Sequence, residues 1–349
     1  MASGRTVVVG IVLMLAGSLI AMITPSAQSA PPPSETPKAT LLVTGLQGSI
    51  GSTVGPDGAL YVTEGAVGRI TRVDPQTGSL TTFASGLPKT IPANGIGGAI
   101  DVAFIGKTAY VLVTLVSPDV GGSDVDGIYR VDSPDSFTIV ADIGTFNVNN
   151  PPTIPFPFFV TTGVLYALQP YRGGFLVTDG HLNRVLRVTL DGAVKVLIAF
   201  DDIVPTGLAV SGNTIYMAEA GPVPHQPQDG KVVSFGPKST SATEVASGAS
   251  LLVDVEFGRG RQLYALSQGP GVPGAPPGSP AQPNSGSLVK VNGDGTVTVI
   301  LDDLNLPTSL EFIGTTAYVV TLTGEIWKID DFADERERAA GPSSGPSSQ

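Results

Sequence analysis

The sequence predicts an all-β fold, a six-bladed β-propeller closed by an N-terminal strand that completes the last blade. One strand pattern recurs six times, and the spacings between its central residues are 49, 66, 40, 48 and 54 positions. A period of about 40–50 residues with four short strands per repeat is typical of propeller blades. Glycine and proline are abundant and only 14% of residues are charged, which suits short strands joined by turns. The six central residues are Tyr61, Tyr110, Leu176, Tyr216, Tyr264 and Tyr318.

Each repeat is predicted to hold four strands. First strands follow a Pro-Thr or glycine-rich segment, as in PTGLAV (Pro205–Val210) and LVDVEF (Leu252–Phe257). Third strands end on a basic and then an apolar residue, as in RITRV (Arg69–Val73), and turns such as Asp191-Gly192 lead to the fourth. In blade 3 the segment Thr145–Tyr171 is rich in proline and aromatic residues and hides the first strand.

The N-terminal strand is predicted to close the ring. Only five fourth strands follow their third strands, because the sixth blade ends near Ile329 without one. The segment ATLLVTGL (Ala39–Leu46) resembles the fourth strand of blade 1, LTTFASGL. We expect it to pair into the last blade, since closure removes the open sheet edges of an incomplete ring.

The two ends of the chain are predicted to lie outside the propeller, which spans residues 39–332. Residues 1–29 read as a signal peptide, with one basic residue, an apolar run and a small-residue cleavage site. The apolar run is close to the length of a membrane span, so an uncleaved anchor is the alternative to cleavage. Residues 30–38 form a proline-rich linker and residues 333–349 a disordered tail. A secreted, extracellular protein of bacterial export is the expectation.

Charge and cysteine content limit the classes of partner. The formal net charge is −11, which argues against nucleic acid and anionic membrane surfaces as partners. The chain has no cysteine, so it has no disulfide and its stability depends on the core. Apart from a possible signal anchor, no membrane association is expected.

Five motifs carry a resemblance that extends over residues 39–332. They are GPDGALYVTE (Gly55–Glu64), GRITRVDPQTG (Gly68–Gly78), DGIYRVD (Asp126–Asp132), FLVTDGHLNRVLRVTLDG (Phe175–Gly192) and LPTSLEFIGTTAYV (Leu306–Val319). With these motifs the chain resembles the ScyD/ScyE family of secreted β-propeller proteins. Related patterns occur in NHL-type and lactonase-type propellers, and the family has no firmly assigned activity. The resemblance therefore implies the fold and export rather than a reaction.

Carboxylates end the second strand in three blades, at Glu64, Asp179 and Glu219. Strand alternation places this column on the face that carries the loops between strands 2 and 3. Converging carboxylates could hold Ca²⁺ or another divalent ion, or act in acid–base chemistry. Alternatively, each accepts hydrogen bonds from the turn that follows it.

Two further sets of residues are candidates for ligand binding on that face. Asp101 and Asp254 occupy equivalent positions in the first strands of opposite blades, where the alternative is a polar, water-filled tunnel. His181 and His225 lie in loops on the predicted face and could shuttle protons or bind a metal, or could be ordinary loop residues.

The sequence favours a non-catalytic binding module that holds a small molecule, glycan or protein on the loop-rich face, without a required cofactor. Long loops on a rigid ring and the absence of an assembled catalytic motif support that prediction. The alternative is a metal-dependent hydrolase or lactonase of the six-bladed propeller type. A quinone-dependent redox propeller would need more histidine and arginine in the channel than the sequence offers.

Overall fold

The computed structural model describes residues 37–153, 156, 160–226, 228–276 and 278–330. The predicted signal peptide, most of the linker and the predicted tail lie outside these residues. Among the described residues, no helix is long and apolar enough to span a membrane.

The described residues form six four-stranded antiparallel sheets. In chain order the first twelve strands and the helix are β1 (Ala39–Val43), β2 (Ser49–Val54), β3 (Leu60–Glu64), β4 (Arg69–Val73), β5 (Leu80–Ser85), β6 (Gly98–Ile105), β7 (Thr108–Thr114), β8 (Gly127–Ser133), β9 (Ser136–Asp142), α1 (Ile143–Asn149), β10 (Leu165–Pro170), β11 (Gly174–Asp179) and β12 (Arg184–Thr189). The remaining strands are β13 (Val194–Ala199), β14 (Pro205–Ser211), β15 (Thr214–Glu219), β16 (Lys231–Phe235), β17 (Thr243–Ser247), β18 (Leu252–Phe257), β19 (Leu263–Ser267), β20 (Gly286–Val291), β21 (Val297–Leu304), β22 (Pro307–Ile313), β23 (Thr316–Thr321) and β24 (Ile326–Ile329). Short 3₁₀ turns occupy Pro92–Asn94, Pro118–Val120 and Arg259–Arg261.

The sheets are the six predicted blades, and the ring is closed as predicted. The inner strands β2, β6, β10, β14, β18 and β22 each contact the next, and β22 contacts β2. The last blade has the order β1-β24-β23-β22, so the N-terminal strand supplies its outer strand. Thr40 lies opposite Lys328 and Val43 opposite Ile326. The six-bladed propeller prediction is therefore confirmed.

The recurring tyrosine of the second strand packs between blades. In three places its ring meets the phenylalanine near the end of the next blade's inner strand, with centroids 4.8–5.4 Å apart. Such pairs contribute about 0.5–1.5 kcal/mol beyond the area that they bury. The repeat seen in the sequence is thus a repeat of inter-blade packing. The pairs are Tyr61 with Phe104, Tyr216 with Phe257, and Tyr264 with Phe312.

The irregular part of blade 3 contains a helix that the sequence did not indicate. The N-cap of α1 is Asp142, whose carboxylate accepts a hydrogen bond from the Thr145 backbone N–H at 2.8 Å. Asn147 on this helix is fully buried. The hidden first strand of the blade follows as β10.

Candidate functional site

A β-bulge interrupts every inner strand at the same level of the channel. In each blade the pairing register between strands 1 and 2 shifts near the start of strand 1. In β18, for example, Leu252 lies opposite Ser267 and Asp254 opposite Leu266, so Val253 is the extra residue. A bulge re-aims side chains and adds twist without ending the strand. The residues that the shifts leave without a partner include Ile50, Tyr166, Thr206, Val253 and Thr308.

These five bulge residues line a cavity of about 160 Å³ on the predicted loop-rich face. The cavity also contains both histidines of the chain, His181 and His225. Its wall is mostly apolar, which suits a ligand with apolar surface. The apolar lining residues include Ile50, Ile96, Val164, Val204, Leu251, Val253 and Leu322. We call this cavity the histidine pocket.

A recess of about 100 Å³ adjoins the histidine pocket. Both histidines also line the recess, together with Asn183 and Asp202. The Asn183 side-chain oxygen accepts hydrogen bonds from two backbone N–H groups, at 2.9 and 2.8 Å. The imidazoles therefore lie between the mostly apolar histidine pocket and the more polar recess.

His225 is held in one orientation by the backbone. Its Nδ1 atom is 2.7 Å from the carbonyl oxygen of Gly221, which fixes the proton on Nδ1 and leaves the lone pair on Nε2. Burial lowers the pKa of His225 below its usual value, although the carbonyls of Gly221 and Ala220 oppose the shift. A neutral imidazole with a free lone pair is a base at neutral pH.

His181 follows the acidic end of β11. Burial, together with the nearby His225, lowers the pKa of His181 to about 4. Both imidazoles are therefore neutral at neutral pH. The structure thus brings together the two predicted histidines, and it does so in one pocket.

Glu64 lies in a local ion-pair network. Its side chain is fully buried, and it accepts hydrogen bonds from Arg69 Nε and Nη2 at 2.9 and 2.8 Å. Thr71 Oγ1 and the Gln47 backbone N–H also donate to it. Burial alone would raise the pKa of Glu64, but the hydrogen bonds from Arg69 and Thr71 outweigh burial and lower it.

Asp179 is also engaged locally. It accepts hydrogen bonds from Asn147 Nδ2 at 2.7 Å and from the backbone N–H groups of Val164 and Leu182 at 3.1 Å each. Arg184 Nε lies 4.0 Å away. Burial nevertheless raises the pKa of Asp179. This carboxylate ties α1 and the two loops together.

Glu219 differs from the other two members of its column. Its side chain is buried, and burial raises its pKa to about 7, partly opposed by Lys231. Lys231 Nζ instead donates to Glu244 Oε2 at 2.8 Å. The three strand-end carboxylates therefore occupy three separate environments.

Asp101 and Asp254 bridge neighbouring blades. Asp101 Oδ2 accepts a hydrogen bond from the Leu168 backbone N–H at 2.7 Å, and Asp254 Oδ2 accepts one from the Leu310 N–H at 2.8 Å. A Cβ atom on Gly51, in the blade before Asp101, would lie 2.4 Å from Asp101 Oδ1, and the same holds for Gly207 and Asp254. Because these two glycines have no Cβ atom, the aspartate side chains can pack directly against them.

These two aspartates line a second cavity, of about 310 Å³, at the other end of the channel from the histidine pocket. This is a correction, because the sequence placed them on the same face as the histidines. They lie beyond the bulge, in the half of each inner strand that leads to the opposite face. Two glutamates that the sequence analysis missed, Glu256 and Glu311, line the same cavity.

The carboxyl groups of this acidic cavity hold protons more tightly than usual. Burial is the main cause in each case: it raises the pKa of Asp254 to about 7 and, with Asp254 nearby, that of Glu256 to about 8. The pKa values of Asp101 and Glu311 are also raised well above their usual values, first by burial and then by neighbouring carboxylates.

The predicted metal ligands do not form a metal site among the described residues. Within them, no group of three or more His, Asp or Glu side chains is arranged to hold a metal ion. Glu64 and Asp179 are engaged in local networks, and the two aspartates lie in the other cavity. The residues present therefore do not fit the divalent ion of the hydrolase alternative.

Comparison with solved structures supports the fold. An aldose sugar dehydrogenase from Streptomyces coelicolor in its PQQ-bound form is 14% identical, with a TM-score of 0.60 over 86% of this chain and 99% of that one. A gluconolactonase from Xanthomonas campestris is 13% identical, with a TM-score of 0.57 over 84% and 89%. A catalytically inactive histidine-to-alanine variant of virginiamycin B lyase from Staphylococcus aureus, with quinupristin, is 14% identical, with a TM-score of 0.52 over 84% and 98%.

These neighbours are six-bladed β-propeller proteins, so the chain shares that architecture. No protein-family model matches the sequence, and no curated protein matches it. At 13–14% identity, these likenesses show the fold alone.

Proposed function

We propose that this chain is an exported hydrolase of the lactonase type, which opens a small lactone or ester in the histidine pocket with His225 as general base. One observation carries the proposal. The half-buried, neutral imidazole of His225 is oriented by the Gly221 carbonyl beside a second neutral imidazole, in a mostly apolar pocket.

The reaction follows from the tautomer of His225. With the Nδ1 proton held by Gly221, Nε2 removes a proton from a water molecule as the water oxygen bonds to the acyl carbon. The acyl C–O bond then breaks, and the imidazolium returns the proton to the leaving oxygen. One water is consumed, and a lactone becomes a hydroxy acid.

The environment of His225 suits this role. Because burial lowers its pKa, the imidazole is unprotonated at neutral pH. The carbonyls of Gly221 and Ala220 and the charge of Asp202 stabilise the imidazolium that forms after proton transfer. No step passes through a metal, because the residues present do not fit one.

The competing function is a non-catalytic binding module using the same pocket. The buried networks of Glu64 and Asp179 are compatible with it, since those carboxylates are engaged within the fold and line neither the histidine pocket nor the acidic cavity. The gluconolactonase from Xanthomonas campestris, a structural neighbour named for lactone chemistry, supports the hydrolase instead. Both functions place a ligand in the histidine pocket, and only turnover separates them.

The test is hydrolysis of a panel of γ-lactones and aryl esters by the purified chain, followed by mass spectrometry. We expect product masses greater by one water, and a fall in kcat of about 10²- to 10⁴-fold in His225→Gln. The matched control is Val272→Ala, on an exposed loop, with an unchanged rate. Absence of turnover across the panel, or full activity in His225→Gln, would overturn the proposal.

A further inference from the structure

A tyrosine crosses the channel between the two cavities. Tyr166 is the bulge residue of β10 in blade 3, and its hydroxyl lies 3.4 Å from the Thr308 carbonyl oxygen in blade 6, on the opposite side of the ring. Its ring packs against three separate hydrophobic clusters that draw on different blades. The side chain therefore spans the channel axis.

The tyrosine faces different chemistry on its two sides. It lines the histidine pocket, while burial and the nearby Asp254 and Asp101 carboxyl groups raise the pKa of its hydroxyl. Those two carboxyl groups line the acidic cavity. Tyr166 thus lines the histidine pocket of about 160 Å³ and lies near two carboxyl groups of the acidic cavity of about 310 Å³.

The polar side chains of the histidine pocket are already engaged with the protein. Thr206 Oγ1 donates to the carbonyls of Ala218 and Leu252, and Thr308 Oγ1 donates to that of Val320. Gln268 binds the Ala281 N–H through its oxygen, at 3.1 Å. A polyhydroxylated ligand would lose its water hydrogen bonds here and find few replacements, which is costly.

The size of the pocket limits the ligand as well. A dry apolar cavity of about 150 Å³ binds benzene, so a chamber of about 160 Å³ suits one small ring. The two imidazoles are neutral and provide no charge for an anionic ligand. A substituent that extends along the channel toward the acidic cavity meets Tyr166.

From this geometry we infer that the substrate is an uncharged lactone or ester with a short apolar substituent, and that Tyr166 is the residue that limits the length of that substituent. The inference rests on the proposed function for the reaction, but the binding preference does not depend on turnover.

Binding is measured first, by calorimetric titration of His225→Gln with γ-lactones that carry alkyl chains of increasing length, and with gluconolactone as the polar comparator. We expect the affinity to rise by about 4-fold per added CH₂, the equivalent of about 0.8 kcal/mol, up to a limiting length and to fall beyond it. Gluconolactone binding as tightly as the best alkyl lactone would overturn the substrate class.

Tyr166→Ala and Tyr166→Leu, each in the His225→Gln background, test the role of Tyr166. Both should bind chains beyond the limiting length, because the pocket then opens into the acidic cavity. Tyr166→Phe, which keeps the ring, should retain the wild-type limit. An unchanged limit in Tyr166→Leu, with an intact circular dichroism spectrum, would overturn the role of Tyr166.

The outcomes also separate this inference from the proposed function. If the chain-length limit shifts in Tyr166→Leu while the otherwise wild-type chain hydrolyses no lactone, the hydrolase proposal fails and the pocket inference stands. If the chain turns over lactones but Tyr166→Leu leaves the limit of kcat/KM unchanged, the inference about Tyr166 fails alone.

Discussion

Deleting the N-terminal strand should destabilise the whole ring. The segment Ala39–Leu46 contains Val43 and Leu46, each 5% exposed, and burial of such a side chain contributes about 1.5–3 kcal/mol. The strand also forms an antiparallel ladder with β24, in which each hydrogen bond contributes about 1 kcal/mol. The loss is therefore on the order of 5–10 kcal/mol, comparable with the whole stability of a typical domain.

Thermal unfolding followed by circular dichroism measures this effect. For a domain of this size each kcal/mol shifts Tm by roughly 2–4 °C, so we expect Tm to fall by at least about 10 °C, or the variant not to fold. The matched control is Leu41→Ala in the same strand, since Leu41 is 47% exposed and its loss should change stability by less than about 0.5 kcal/mol. A deletion variant with the same Tm as the full-length chain would refute closure by this strand.

Three further predictions concern the channel and the buried carboxylates. Glu64→Ala should lower the free energy of unfolding by about 3 kcal/mol in urea titrations, because an arginine loses its buried partner; a change below 1 kcal/mol would contradict the network. The pKa values of Asp254 and Glu256 are raised in the folded state to about 7 and about 8. The folded state therefore binds more protons than the unfolded state between pH 4 and 8, and Tm should fall as pH rises through this range, with a smaller fall in Glu256→Gln. Gly207→Ala should cost about 1–3 kcal/mol by overpacking, whereas Gly293→Ala, with open space around it, should be neutral in the same melts.

The architecture was predictable because its signal repeats. The tyrosine of the second strand recurs in five of the six blades, and in three places it packs on the next blade. The sequence shows only five fourth strands for six blades, so a strand from elsewhere in the chain was expected to complete the last blade. Ala39–Val43 is that strand. The recurring pattern of the second strand is therefore enough to predict the propeller architecture from one sequence.

The inner-strand residues that line the histidine pocket were not predictable, because they lie in β-bulges. Alternation along β10 assumes one residue per position, but the register shift between Leu165 and Leu168 changes which side chains face the channel. In the sequence, Tyr166 is therefore indistinguishable from a residue that pairs regularly with the neighbouring strand. Nothing local to the segment marks the shift.

The acidic cavity could have been found from alternation. Glu256 follows Asp254 by two positions, so both side chains lie on one face of β18. Glu311 follows Ser309 in the same way in the next blade. Helix α1 was harder, because its seven residues lie beside a proline-rich segment that favours loops.

The bulges also affect how the ligand preference of such a protein can change in evolution. Five blades each carry a bulge residue that lines the histidine pocket and stands outside the regular pairing of its sheet. A substitution at Val253 or Ile50 changes the shape of the pocket while the strand pairs on both sides stay intact. Selection can therefore alter the ligand one blade at a time on an unchanged ring, and gene families on this scaffold should differ most at the bulge positions.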